Sequence, residues 1–398
     1  MKAITWAGPN RVTCEETPDP SIVNPRDAIL KVTATTICGS DLHLYDGYVP
    51  AMQRGDILGH EFMGEIVELG SRSAQTHRVG DRVVVSPMVA CGACFFCEQD
   101  LYSMCDNGNP DASLAETLWG YSPCGIFGYS HLTGGYPGSH AEYIRVPYAD
   151  TGAVKVPDGV SDTSALFTSD ALSTGYFGAD LCDLKGGEVV AVWGAGAVGL
   201  SAIASARLMG AERVIAIDRI PARLHVAAQK AGATDVLDYS KVGVVEALKE
   251  FTGGRGPDAC IEAVGMEAHS GGRQAVYDRV KQATRLESDR PYALREAIQA
   301  CRKGGTLSLL GVFGGFIDKF PIGALMNKGL QLRTGQVHAQ RYIPRLLEHV
   351  ERGELETAYF ATHEMRLEQA QEAYQTFKQK HDECLRVVFR PHGAGVAA

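Results

Sequence analysis

One stretch of the chain narrows its possible folds more than any other. The continuous apolar run Val189-Val190-Ala191-Val192-Trp193 leads straight into Gly194-Ala195-Gly196-Ala197-Val198-Gly199, where a helical segment, Ala197 to Met209, opens and then stops at Gly210. An uninterrupted apolar run suits a strand buried on both faces, which is the habit of parallel sheets. The alternation continues downstream. The pattern predicts strand Arg213 to Asp218, helix Pro221 to Ala231, strand Asp235 to Leu237, helix Val244 to Phe251 and strand Asp258 to Ala263. Helix Tyr292 to Arg302 and strands Thr306 to Leu310 and Leu330 to Thr334 complete it. Such an order builds a mostly parallel, doubly wound sheet.

The glycine turn carries chemistry as well. G-x-G-x-x-G alone is a weak signal, but here a strand precedes it and a helix follows. An acidic residue, Asp218, also closes the next strand 19 residues past Gly199. Gly194 permits the tight turn, Gly196 lets backbone approach a pyrophosphate, and Gly199 allows close helix–strand packing. The N–H groups of Ala197 and Val198 and the helix dipole favour phosphate charge. Asp218 would accept from adenosine ribose hydroxyls and repel a 2′-phosphate, which favours NAD over NADP. Arg219 beside it pulls the other way, and Arg223 one turn on is a further cofactor-binding candidate.

The first 150 residues have a different texture. Short β-like runs such as 28–32, 64–70 and 81–85 are separated by Gly, Pro and Asp, suggesting a β-rich, barrel-like domain. At 398 residues the chain is long for one core. The residues after Thr334, with a helix over 343–350 and a last strand near 385–389, are expected to return to this first domain. A net charge of −9 argues against nucleic-acid binding. No apolar run reaches the ~20 residues of a membrane span, and the opening residues read as a strand, not an export signal. The cytoplasm is the expected compartment.

Eleven cysteines are present, and four of them, Cys91, Cys94, Cys97 and Cys105, fall within fifteen residues. Four thiolates at this spacing can enclose one tetrahedral Zn²⁺ with no open position, a structural role. An iron–sulfur cluster also uses a C-x2-C-x2-C run, and unligated thiols are the bland alternative. Upstream, Cys38-Gly39-Ser40-Asp41-Leu42-His43 and Gly59-His60-Glu61 gather metal-capable and proton-transfer groups.

Taken together, Gly59-His60-Glu61-x2-Gly64, Cys38-Gly39-Ser40-Asp41-x-His43, the cysteine loop and the glycine turn resemble the zinc-dependent medium-chain alcohol dehydrogenases over nearly the whole chain. The glutathione-independent formaldehyde dehydrogenase and aldehyde dismutase branch is the most similar. The resemblance implies an α/β fold with two parts: a Rossmann domain over 161–334, and a β-rich, GroES-like catalytic domain over 1–160 and 335–398. It implies two zinc ions, one structural and one catalytic, the latter held by Cys38, His60 and, where most of the family has cysteine, Asp170. It gives Ser40 and His43 a proton path, Asp41 the orientation of the zinc histidine, and Glu61 a place near the metal. Val264, Gly311, Val312 and Phe313 fall where the family contacts nicotinamide.

The implied activity is hydride transfer between NAD and small alcohols or hydrated aldehydes, in a homo-oligomer (tetramer or dimer). A polyol, threonine or secondary-alcohol dehydrogenase is the alternative within the family. A zinc-free quinone reductase or a non-catalytic nucleotide sensor fits the metal motifs poorly. Two long stretches, 106–136 and 266–290, exceed ordinary connections. The second resembles a cofactor-covering segment that would slow NAD exchange, a solvated surface insertion being the alternative. Trp119, Phe127, His131 and His140 are candidate pocket groups, with packing the alternative for each.

Overall fold

The computed structural model describes residues 1–266, 291–314, 317 and 319–393. The chain divides into two compact units, Met1–Ser173 with Val337–Ala398, and Thr174–Gln336.

In the second unit six strands form one sheet whose neighbours all run parallel. The spatial order is Asp235–Asp238, Arg213–Asp218, Val189–Trp193, Ala259–Glu262, Thr306–Leu309 and Gln331–Thr334. The order reverses beside Val189–Trp193, the crevice where doubly wound sheets bind ligands. Val190, Ala191 and Val192 are completely buried, as strands covered on both faces must be. Trp193, Ile215, Ile217, Leu248, Ile298 and Leu307 share its core.

The first unit carries a seven-stranded sheet, antiparallel except between Ala361–Met365 and Arg386–Phe389. The tail returns here: Val388 and Phe389 pair with Thr36 and Thr35 of strand Ala28–Thr36. On its other side that strand sets Thr36 opposite Glu61 of strand Glu61–Leu69. The chain just beyond Thr36 and the chain just before Glu61 therefore leave the sheet side by side, which brings Cys38 to His60.

Two sequence expectations shift. Residues 161–173, expected with the dinucleotide domain, cluster with the first unit. Polar anchors account for this: the Arg82 guanidinium donates to Asp162 and to the Val160 carbonyl, and Ser169 Oγ donates to the Val85 carbonyl. The helix expected over 343–350 begins earlier, running Ala339–Glu351 with Pro344 inside. Its buried face, Tyr342, Ile343, Leu346 and Leu347, outweighs the one backbone hydrogen bond a proline removes. The stretch 106–136 is not plain loop, for Ala112–Trp119 is helical. Of the second long stretch, 267–290 lies outside the described residues. Among the described residues no helix is long and apolar enough to cross a membrane.

Candidate functional site

Cys38 caps the helix Gly39–Tyr45. Its backbone N–H donates to Asp41 Oδ2 at 2.8 Å, so the cap geometry and the acidic residue at the third helical position hold each other. The other oxygen, Asp41 Oδ1, lies 3.0 Å from His60 Nδ1, close but not in hydrogen-bond alignment. Because that nitrogen faces Asp41, the opposite one, Nε2, is left for other work. It stands 3.6 Å from Asp170 Oδ2 and 3.2 Å from Ser40 Oγ. Cys38 Sγ is 3.4 Å from the same Asp170 oxygen. The sulfur, nitrogen and carboxylate oxygen all lie within 4.8 Å of one another, and all three residues are buried.

Thiol sulfur, imidazole nitrogen and carboxylate oxygen are electron-pair donors, so a proton or a cation must sit among them. Burial works against charge on His60, yet the Asp41 carboxylate prevails and holds the imidazole well above its ordinary value. Burial likewise opposes ionisation of Asp41, and the His60 charge brings it below the usual carboxylate range. A buried cluster that favours positive charge and mixes S, N and O donors fits a zinc ion with an open position.

Glu61 is fully buried but does not join those three ligand atoms. Its Oε1 accepts from the Ala171 N–H at 3.0 Å, and its Oε2 lies 3.3 Å from Arg386 Nη1. Burial pushes its carboxyl up to about 7 against the pull of Arg386. Sequence reading missed Arg386, although an arginine inside the apolar run Leu385-Arg386-Val387-Val388-Phe389 was a usable signal, since a buried cation needs partners. The guanidinium donates to the Ile37 carbonyl at 2.6 Å and reaches Cys38 Sγ at 3.9 Å. It ties the last strand to both sides of the metal group. His43 is buried three residues after Ser40 on the same helix, a spacing that puts both on one face.

Of the four pocket candidates, none joins this group. Phe127 is buried edge-on to Phe62. His131 contacts Asp56, and Trp119 stacks on Tyr121. His140 is fully buried between the Thr36 carbonyl and the Tyr374 hydroxyl. Tyr129, two residues past Phe127, does approach: its ring stands edge-on to His60 with centroids 6.3 Å apart. Burial drives its phenol pKa well upward.

The four-cysteine loop closes on itself. Cys91, Cys94, Cys97 and Cys105 bring their sulfurs within 4.8 Å of one another, and every cysteine of the chain is a free thiol. The backbone of Cys91 and the side chain of Asn107 donate to loop sulfurs. Burial raises Cys97 to about 11. Cys94 is lowered to about 7, because backbone N–H groups of Cys97 and Asp106 outweigh its burial. Ser103, inside the loop, holds His338 Nδ1 at 2.9 Å through its hydroxyl.

In the second unit Gly194 has φ +90, a conformation that suits glycine. A Cβ on Gly199 would collide with the Gly194 carbonyl oxygen. Gly196 caps the helix Ala197–Leu208, and Ala197 and Val198 open it. The Arg223 guanidinium lies beside Gly196, where a Cβ would stand 3.6 Å from Nη1. Asp218 is held by the N–H groups of Ala195, Arg219 and Ile220 at 2.8, 2.6 and 3.0 Å. Val264 lies against Gly194. The Glu262 carbonyl accepts from Gly311 N–H at 3.0 Å, and the Val312 carbonyl from Met266 N–H at 3.0 Å. Phe313 packs on the core edge. Glu262, also missed, holds this corner together: its carboxylate accepts from Val264 and Gly265 N–H groups, and burial raises it to about 7.

The Alcohol dehydrogenase GroES-like domain family matches residues 24–158, and the Zinc-binding dehydrogenase family matches 197–276. An uncharacterised zinc-type alcohol dehydrogenase-like protein of Bacillus subtilis is 38% identical, covering 98% of this chain and 100% of the relative. A glutathione-independent formaldehyde dehydrogenase of Pseudomonas aeruginosa is 34% identical over 88% of this chain and 87% of its own. The solved alcohol dehydrogenase of Thermus sp. ATN1 superposes with a TM-score of 0.82 at 34% identity, covering 98% of this chain and 100% of that one. On fold, site chemistry and relatives together, the chain belongs to the zinc-dependent medium-chain alcohol dehydrogenases.

Proposed function

We propose that this protein is a zinc- and NAD-dependent dehydrogenase of small primary alcohols and hydrated aldehydes, carrying one catalytic and one structural zinc. The observation that carries the reading is the buried convergence of Cys38 Sγ, His60 Nε2 and Asp170 Oδ2. A zinc ion there would supply Lewis acidity, lowering the pKa of a bound hydroxyl toward neutrality. NAD would accept the hydride.

The chain's own groups do the rest. In the net reaction the substrate C–H bond breaks and its electron pair leaves as hydride. The O–H proton departs, and a C=O bond forms. Ser40, within hydrogen-bond reach of the ligand set, takes part in moving that proton toward His43, imidazole being the side chain chemically suited to relay protons near neutral pH. Asp41 keeps the Nδ1 edge of His60 engaged, so that Nε2 serves the metal. Asp218, fixed by three backbone donors, is set to meet ribose hydroxyls, and a 2′-phosphate would face its charge. Gly194, Gly196 and Gly199 admit the pyrophosphate beside Arg223. Val264, Gly311, Val312 and Phe313 border the nicotinamide end.

The aldehyde side of the proposal draws on Asp170 in place of a cysteine ligand and on likeness to a formaldehyde dehydrogenase. The test is a panel of primary alcohols, formaldehyde, acetaldehyde, polyols and threonine with NAD or NADP on the zinc-loaded enzyme. Reduction of NAD by primary alcohols or aldehydes is the expected result. Turnover confined to polyols or threonine, or to NADP, would overturn it.

A further inference from the structure

A hydrated aldehyde carries two hydroxyl groups on the reacting carbon, whereas an alcohol carries one. The Cys38–His60–Asp170 group with Ser40 accounts for one oxygen. The second, once taken out of water, costs free energy unless it finds a hydrogen-bond partner. Accepting a hydrate well therefore requires a further polar group close by.

Tyr129 stands close by, its ring edge-on to His60. Its placement is dictated by backbone packing: Gly128, at φ +55, sits so close to Gly59 that a Cβ there would strike the Gly59 backbone. Gly128 N–H is anchored to the Tyr136 carbonyl at 2.9 Å, and Ser139 N–H donates to the Gly59 carbonyl at 2.8 Å. The residue before His60 and the residue before Tyr129 are thus locked together, and the two rings meet edge-on. The Tyr129 ring packs on the cluster of Ile37, Leu42, Leu44 and Leu58. Among the described residues no hydrogen-bond partner is found for its hydroxyl, and half-buried tyrosines ordinarily find one.

We infer that the Tyr129 hydroxyl hydrogen-bonds the second hydroxyl of an aldehyde hydrate, making it the residue that sets the preference for hydrated aldehydes over alcohols. This rests on the dehydrogenase reading above. Tyr129→Phe keeps the ring and removes only the polar atom. Two ratios test it, after zinc content is matched to wild type. The first is kcat/KM for acetaldehyde oxidation over that for ethanol. The second is the calorimetric Kd of trifluoroethanol over that of trifluoroacetaldehyde hydrate, which reports binding without turnover.

A fall of about tenfold in both ratios is the expected result, the scale of one hydrogen bond. Unchanged ratios, or parallel losses for both substrates, would overturn the role of Tyr129. If wild-type enzyme turned over neither substrate, the dehydrogenase reading would fall, and the binding ratio alone would still decide the tyrosine.

Discussion

The four-cysteine loop and the Cys38–His60–Asp170 group are both buried clusters able to hold an ion, yet they are built in opposite ways. The loop draws all its ligand atoms from fifteen consecutive residues and is uniformly sulfur. The second group joins sulfur, nitrogen and oxygen from three segments, with Asp170 132 residues from Cys38. A local, saturated set of ligands suits a staple, since nothing else can enter. A set assembled by the fold, mixed and short of one ligand, suits catalysis. The lesson is that the open site depends on the whole first unit, while the closed one depends mainly on its own loop.

The sharpest way to break this comparison is Asp170→Ala. Metal analysis is expected to fall from two zincs per chain to one, with kcat/KM down at least about 10³-fold, or roughly 4 kcal/mol of transition-state stabilisation. Two retained zincs would remove Asp170 from the ligand set. Next in size is Cys97→Ser. One zinc should again be lost, but the cost should appear as stability, about 3 kcal/mol or on the order of 10 °C in Tm, because structural zinc binding is folding free energy. Alcohol oxidation lost below the new Tm would show that the loop is not merely a staple.

Asp41→Asn probes the support of the open site. Zinc affinity there should drop about 10- to 100-fold in competition with a chelator, while the cysteine loop keeps its ion. The smallest effect is expected from His338→Ala, which removes the partner of Ser103. It should cost about 1 kcal/mol, a shift of about 2–4 °C, with both zincs retained. A loss of loop zinc would make His338 part of the staple itself.

Much of the fold was legible in the residues because its signals are short-range. Strand Arg213–Asp218 and helix Val244–Phe251 follow from hydrophobic period and from glycine or proline at their ends. Among site residues, the cysteine loop and the glycine turn could be read directly, since spacing alone brings their atoms together. Cys38 and His60 could be read as metal-capable groups, but Asp170 and the joining of all three were reached only through family resemblance. The misses share a cause. Arg386 sat in an apolar strand, Glu262 ended one, and Tyr129 lay in a stretch where Phe127 and His131 looked equally eligible. For Glu262 and Tyr129 nothing in the neighbours along the chain distinguishes a packing residue from a functional one. For Arg386 the apolar run signals a buried cation but not which partners it meets.

The sequence by itself therefore determined the parallel order of one unit, the position of the glycine turn between strand and helix, and the gathering of four cysteines in one loop. Each depends on backbone period or on ligands a few bonds apart. Only the tertiary structure decided that Glu61 turns to Arg386, that Phe127 is core while Tyr129 meets His60, and that residues 161–173 belong with the unit that holds Cys38 and His60. Those outcomes are set by strand register, as when Thr36 is placed opposite Glu61. They also reflect the cost of burying charge, which obliges Arg386 to find partners as far away in the chain as Cys38, 348 residues distant.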